Sequence, residues 1–179
     1  MSELVNEYGR ALADLAKEEG LEDLFLEETA AVRTVFTENP GYAQLISNPQ
    51  LTKAERVDLV QTAFGGRVHP YLLNFMKLLT ERGYAYKTAD FMAEYERLYC
   101  VRHNIIKAKA LTAVPLTDAQ REKLARKLEQ KTGKEIRLTC ETDATLLGGI
   151  RLLVDNTLYD GSVRASLEEI RKSLASLTL

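Results

Sequence analysis

The stretch from Leu146 to Leu174, LLGGIRLLVDNTLYDGSVRASLEEIRKSL, decides the fold, because strand, reversal and helix signals follow one another there without a break. Ile150, Leu152 and Val154 alternate with Arg151, Leu153 and Asp155, and a period of two marks a strand with two unlike faces. Asp155 and Asn156 tolerate the positive φ of a tight hairpin turn, so Thr157, Leu158 and Tyr159 return as a second strand. Asp160-Gly161 supplies another reversal, and Ser162 stands where its hydroxyl can cap a helix. On that helix Val163, Leu167, Ile170, Leu174 and Leu177 recur at steps of four and three. So narrow a seam buries one line of side chains and leaves Glu168, Glu169, Arg171 and Lys172 in water. The helix is expected to pack on one surface, most simply the hairpin before it.

Working back from this stretch, the same alternation of element types reaches to about Asn104. Ile106, Ala108, Ala110 and Thr112 alternate with Ile105, Lys107, Lys109 and Leu111 as a strand that Pro115 ends. Thr117 with Gln120 forms a capping box for a helix running to Lys131, with Leu124 and Leu128 on one face and Gly133 just past its end. Ile136, Leu138 and Cys140 then mark a second strand. Residues 105–179 are therefore expected to form a small α/β domain of order strand, helix, strand, strand, strand, helix.

Residues 1–104 carry a different period. Ser2 can cap a first helix with Leu4, Tyr8, Leu12 and Leu15 on one face, Val5 and Ala11 beside them, and an end near Gly20. Gly9 inside it costs about 1 kcal/mol relative to alanine, so it is either tolerated or admits the close approach of another helix. A second helix, about Leu21 to Glu38, has Leu21, Leu24, Phe25, Val32, Val35 and Phe36 as its stripe and stops at Asn39-Pro40-Gly41. A short piece from Tyr42 to Ile46 follows, and then a helix opened by the capping box Thr52 and Glu55 and ended by Gly65-Gly66. The helix from about Val68 to Arg82 has Leu72, Phe75, Met76 and Leu79 on one face and Leu73 and Leu78 off it. It is either the central helix of a bundle, or it borders a groove for an incoming amphipathic helix; the two readings are compatible. A sixth helix, about Tyr84 to Arg102, offers Ala85, Ala89, Met92, Tyr95, Leu98 and Tyr99 as core contacts. The expectation is an all-α domain of six helices over residues 1–104 followed by the small α/β domain, a fold of α plus α/β class.

The 179 residues are 45% hydrophobic, enough for two real cores, and the net charge of −2 argues against a general nucleic-acid binder. That total hides an asymmetry: residues 1–104 carry −5 and residues 105–179 carry +3, which points to different partners for the two parts. The six acidic residues between Glu18 and Glu28 read as a solvated corner between helices. Cys100 and Cys140 give no disulfide framework of the secreted kind, so a reducing cytosolic compartment is expected. No apolar run approaches the roughly 20 residues needed to cross a bilayer, and Met1-Ser2-Glu3 is acidic where a targeting segment is basic. At a membrane, the chain would be held by other subunits rather than inserted.

Catalysis needs convergent polar groups, and few are present. The only histidines are His69 and His103, and Cys100-x-x-His103 lacks the second pair that a zinc site requires. No Walker motif, dinucleotide fingerprint or serine elbow occurs, so neither a cofactor nor a metal is expected, and the chain reads as non-catalytic. Seven basic residues between Arg121 and Arg137 offer an RNA-binding alternative, but Glu122, Glu129 and Glu135 interrupt them and the strands lack exposed aromatic residues for stacking on bases. A two-domain adaptor is as far as the residue chemistry goes.

Gly148, Gly149, Asp155, Asp160, Gly161, Ser162, Val163 and Arg164 together resemble the closing signature of the delta subunit of the F-type ATP synthase, the family of the mitochondrial oligomycin-sensitivity-conferring protein. Tyr8-Gly9-Arg10-Ala11-Leu12 resembles that family's opening pattern, with Gly9 in place of an alanine, and Asn74 to Leu79 followed by Glu81-Arg82-Gly83 resembles its middle segment. The resemblance implies a non-catalytic subunit of the peripheral stalk, on the cytoplasmic side of a bacterial membrane. Such a subunit couples the α3β3 head to the membrane-anchored b subunits. It further implies that the amino-terminal helix of an α subunit lies in a groove between the first and fifth helices. On this chain that nominates Tyr8, Ala11, Leu12 and Leu15 with Leu72, Phe75, Met76 and Leu79. The carboxy-terminal region of the b subunits is the implied partner of residues 105–179, with no individual residue nominated.

Overall fold

The computed structural model describes residues 3–146, 148–154 and 157–162. Contacts divide the chain into two compact units, residues 1–99 and 100–179. The first contains α1 (Glu3–Glu18), α2 (Glu22–Glu38), α3 (Pro40–Ile46), α4 (Lys53–Phe64), α5 (Pro70–Glu81), a 3-10 turn (Ala85–Lys87) and most of α6 (Thr88–Arg102). The second contains β1 (Ile105–Thr112), α7 (Asp118–Thr132), β2 (Glu135–Thr142), β3 (Gly149–Val154) and β4 (Thr157–Ser162). The division falls in the last turn of α6, which continues to Arg102.

Local chemistry explains most of these boundaries. Thr52 accepts from the Glu55 backbone N–H while the Glu55 carboxylate accepts from the Thr52 N–H at 2.8 Å, closing the capping box that starts α4. Thr117 and Gln120 do the same for α7, and Gly133 ends it at a φ of 67°. Pro40 and Pro70 each stand in the first turn of a helix, where no backbone donor is missed.

The first unit is organised around residues that lose essentially all exposure, among them Leu12, Phe25, Leu72, Met76, Leu79 and Phe91. Its buried stripes differ from those read by size and period. On α1 the buried line is Val5, Gly9, Leu12, Ala13 and Ala16, rotated from the expected Leu4, Tyr8, Leu12 and Leu15. Small residues face inward because α6 approaches closely: a Cβ on Gly9 would stand 2.5 Å from Glu94 Cγ. Gly9 is thus the second of the two alternatives its position allowed. On α2, Leu24 and Val35 stay 39% and 38% exposed, while Thr29 is buried and donates to the Phe25 carbonyl. A hydroxyl that closes its own hydrogen bond within the helix can replace an aliphatic side chain in the core. The sixth helix opens as a 3-10 turn; Met92 and Tyr95 are buried as expected, and so is Phe91, which the expected contacts omit.

In the second unit the sheet order is β2-β1-β3-β4. β1 and β2 are parallel, joined through α7 as a crossover, and β1–β3 and β3–β4 are antiparallel. Ala108, Ile136 and Val154 form the core of the face that also holds Leu128 of α7. The Asp160-Gly161 reversal is corrected: both residues lie within β4, opposite Arg151 and Ile150, and Arg151 meets Asp160 at 3.2 Å. The Asp-Gly dipeptide favours a turn locally, but pairing along β3 and the cross-strand ion pair hold it extended. Ser2, the Asp155-Asn156 turn and the final helix from Val163 lie outside the described residues.

Candidate partner-binding site

The eight residues nominated on α1 and α5 separate by exposure. Leu12, Leu72, Met76 and Leu79 are at most 1% exposed and serve the core of the first unit. Tyr8, Leu15 and Phe75 are half-buried and Ala11 is exposed. The structure brings the two helices together at aromatic rings: Tyr8 and Phe75 have centroids 6.4 Å apart. Each also packs on the buried Phe91 ring, at 5.6 Å and 6.3 Å, and Tyr8 meets Tyr84 edge-on at 5.9 Å. Pairs of this geometry contribute about 0.5–1.5 kcal/mol each beyond the area they bury, so the seam between α1 and α5 is fixed by its own rings.

Apolar side chains at this seam keep some accessibility. Leu4, Tyr8, Phe75 and Tyr84 are partly buried around the cluster of Val5, Leu79 and Phe91. On α5, Tyr71 and Leu78 are each 39% exposed and share a helical face with Phe75 by their spacing of four and three. A strip of this kind can bury the apolar face of an amphipathic helix. Periodicity placed Leu4 on one face with Tyr8, and the resemblance nominated Tyr8 and Phe75; Tyr84 and Phe91, which pack on them, were not singled out, although the dense aromatic spacing around Tyr84 was an available signal.

Beneath the seam lies a charged residue that the sequence reading did not single out. Glu94 of α6 has no exposed side-chain surface, and its carboxylate accepts two hydrogen bonds from Arg97, at 2.8 Å and 2.7 Å. The same bonding raises the Arg97 pKa above its ordinary value. A buried carboxylate held at both oxygens by a forked guanidinium keeps its charge satisfied while its alkyl stem packs against Gly9.

The closing signature is architectural where it is described. Gly148 and Gly149 open β3 at φ values of 145° and 83°, a backbone that side chains disfavour. Asp160 pairs with Arg151, Gly161 lies opposite Ile150 with space for a Cβ only 3.3 Å from its carbonyl, and Ser162 registers with Gly149. Asp155, Val163 and Arg164 lie outside the described residues. Among the described residues no three His, Cys, Asp or Glu gather to hold a metal ion, and no helix is long and apolar enough to cross a membrane.

Comparison with known proteins agrees with this architecture. The family described as ATP synthase delta (OSCP) subunit matches residues 4–174. ATP synthase subunit delta of Synechococcus elongatus is 34% identical over 176 residues, covering 98% of each chain. The Clostridium kluyveri subunit of the same name is 30% identical over 92% of this chain and 91% of its own. A chain in the cryo-EM structure of the Toxoplasma gondii mitochondrial ATP synthase hexamer superposes with a TM-score of 0.76 over 97% of this chain and 98% of its own, and at 17% identity it speaks for the fold. With two dissimilar units, an apolar strip in the first and a glycine-opened, ion-paired hairpin in the second, the chain belongs to the ATP synthase delta (OSCP) subunit family.

Proposed function

We propose that this chain is the non-catalytic subunit at the top of the peripheral stalk of an F-type ATP synthase, tying the catalytic α3β3 head to the membrane-anchored b subunits. It works on the cytoplasmic side of a bacterial membrane, held there by other subunits. The first unit, a six-helix bundle, takes the amino-terminal helix of an α subunit along the α1–α5 seam, and the second unit meets the carboxy-terminal region of the b subunits. Membership of the family supports the role, and the half-buried pair Tyr8 and Phe75 supports the seam. Those two rings rest on a fixed core while keeping a face in water, so an arriving helix gains apolar burial without any reordering of the protein.

A stator subunit transforms no molecule; its task is to hold under torque. Linking two modest contacts through one chain makes the second intramolecular, and the assembly is then tighter than either contact alone. The RNA-binding alternative is not favoured by the family assignment. The reading is tested by titrating the full chain with a peptide of the α-subunit amino terminus in a calorimeter. Micromolar or tighter binding is expected, and heats indistinguishable from dilution would reject the seam as the α-subunit site.

A further inference from the structure

Gly9 of α1 and Glu94 of α6 meet at close range, one helical position from the Tyr8 ring. A Cβ at position 9 would stand 2.5 Å from Glu94 Cγ and 3.0 Å from Glu94 Cβ. Neither atom is the flexible end of its side chain, and the carboxylate beyond them is held at both oxygens by Arg97. Turning Glu94 away would break that pair and leave a fully buried carboxylate without its partner, a costly state. The cheaper response to a methyl group at position 9 is for α1 to lift from α6 by roughly 1 Å, until the carbons regain ordinary contact distance.

Tyr8 is the neighbour that would feel the shift. Its ring is placed by Phe91 of α6 at 5.6 Å and by Phe75 of α5 at 6.4 Å, so lifting α1 takes Tyr8 off the first and changes its offset from the second. We infer that Gly9 and Glu94 are a positioning pair: the missing Cβ and the clamped carboxylate stem together hold Tyr8 beside Phe75 in the geometry that receives a partner helix. Neither residue touches the partner, and both act through the Tyr8 ring. This inference rests on the α1–α5 seam being the α-subunit site.

The test compares four full-length chains, wild type, Gly9→Ala, Glu94→Ala and the double variant, for binding the α-subunit amino-terminal peptide. It is run at a temperature where circular dichroism shows each chain folded. Gly9→Ala is expected to weaken binding about tenfold. Glu94→Ala removes Cγ, the atom a methyl group at position 9 would strike at 2.5 Å, and leaves only the 3.0 Å approach to Cβ, so adding Gly9→Ala to it is expected to change affinity by less than about threefold, a non-additive pair. A merely destabilising methyl group would not be rescued in affinity by deleting Glu94. Equal affinity of Gly9→Ala and wild type overturns the inference, as does a double variant that loses as much affinity relative to Glu94→Ala as Gly9→Ala loses relative to wild type. Should Gly9→Ala alone fail to fold, the double variant decides: it must fold and bind like Glu94→Ala, and failure to do so overturns the inference. Absence of binding by the wild-type chain strikes the seam itself, which separates that failure from this one.

Discussion

Leu72 and Phe75 lie on one face of α5, yet the structure gives them different work. Leu72 has no exposure and Phe75 is half-buried against Tyr8. Leu72→Ala is therefore expected to lower stability by about 2–5 kcal/mol, while leaving the affinity of the folded fraction for the α-subunit peptide nearly unchanged. Phe75→Ala is expected to cost less stability and to abolish most of the binding. Denaturant unfolding paired with calorimetry checks both, and the reverse pattern would move the docking face elsewhere. The sequence marks both residues as apolar at helical spacing and stops there. Periodicity reports which residues share a face; which part of that face meets water depends on the neighbouring helices. For the same reason Thr29 and Glu94 were not readable as core: each is buried through a specific neighbour or hydrogen bond and not through its own apolarity. For Gly9 the sequence left close approach as one of two readings, and only the α6 neighbour decides between them.

At the scale of elements, local signals were legible wherever the chemistry is local. Both capping boxes, at Thr52 with Glu55 and at Thr117 with Gln120, begin their helices as the sequence indicates. They differ in one respect, since only the first ends on a titrating group. Hydrogen bonds from the Thr52 hydroxyl and backbone lower the Glu55 pKa. Its folded value lies below the unfolded one, so the stabilisation is present above the unfolded pKa and is lost as pH falls through the folded value. Glu55→Gln is expected to make the acid limb of the stability profile shallower, as followed by urea unfolding from neutral pH downward; an unchanged limb would mean the box contributes nothing. Thr117→Ala removes the other cap and is expected to cost about 1 kcal/mol with no new pH dependence. The Asp160-Gly161 reading failed for the opposite reason: its conformation is set by partners on β3, which are visible only once the strands are paired.

For the molecule as a whole, the change from a period of 3.6 to a period of two announced two kinds of unit, and the signature residues announced the family. In the proposed role one chain holds two larger bodies by a separate contact on each of its units, and the covalent link between the units carries the load. Mixed halves lack that link, so each can occupy its own partner while the head still turns with the rotor. The most direct measurement is proton-coupled ATP synthesis in membranes stripped of their own delta subunit, after adding back either the intact chain or the two units as separate polypeptides. The intact chain is expected to restore synthesis and the mixed halves are not; full restoration by the mixed halves would show that the covalent link carries no load.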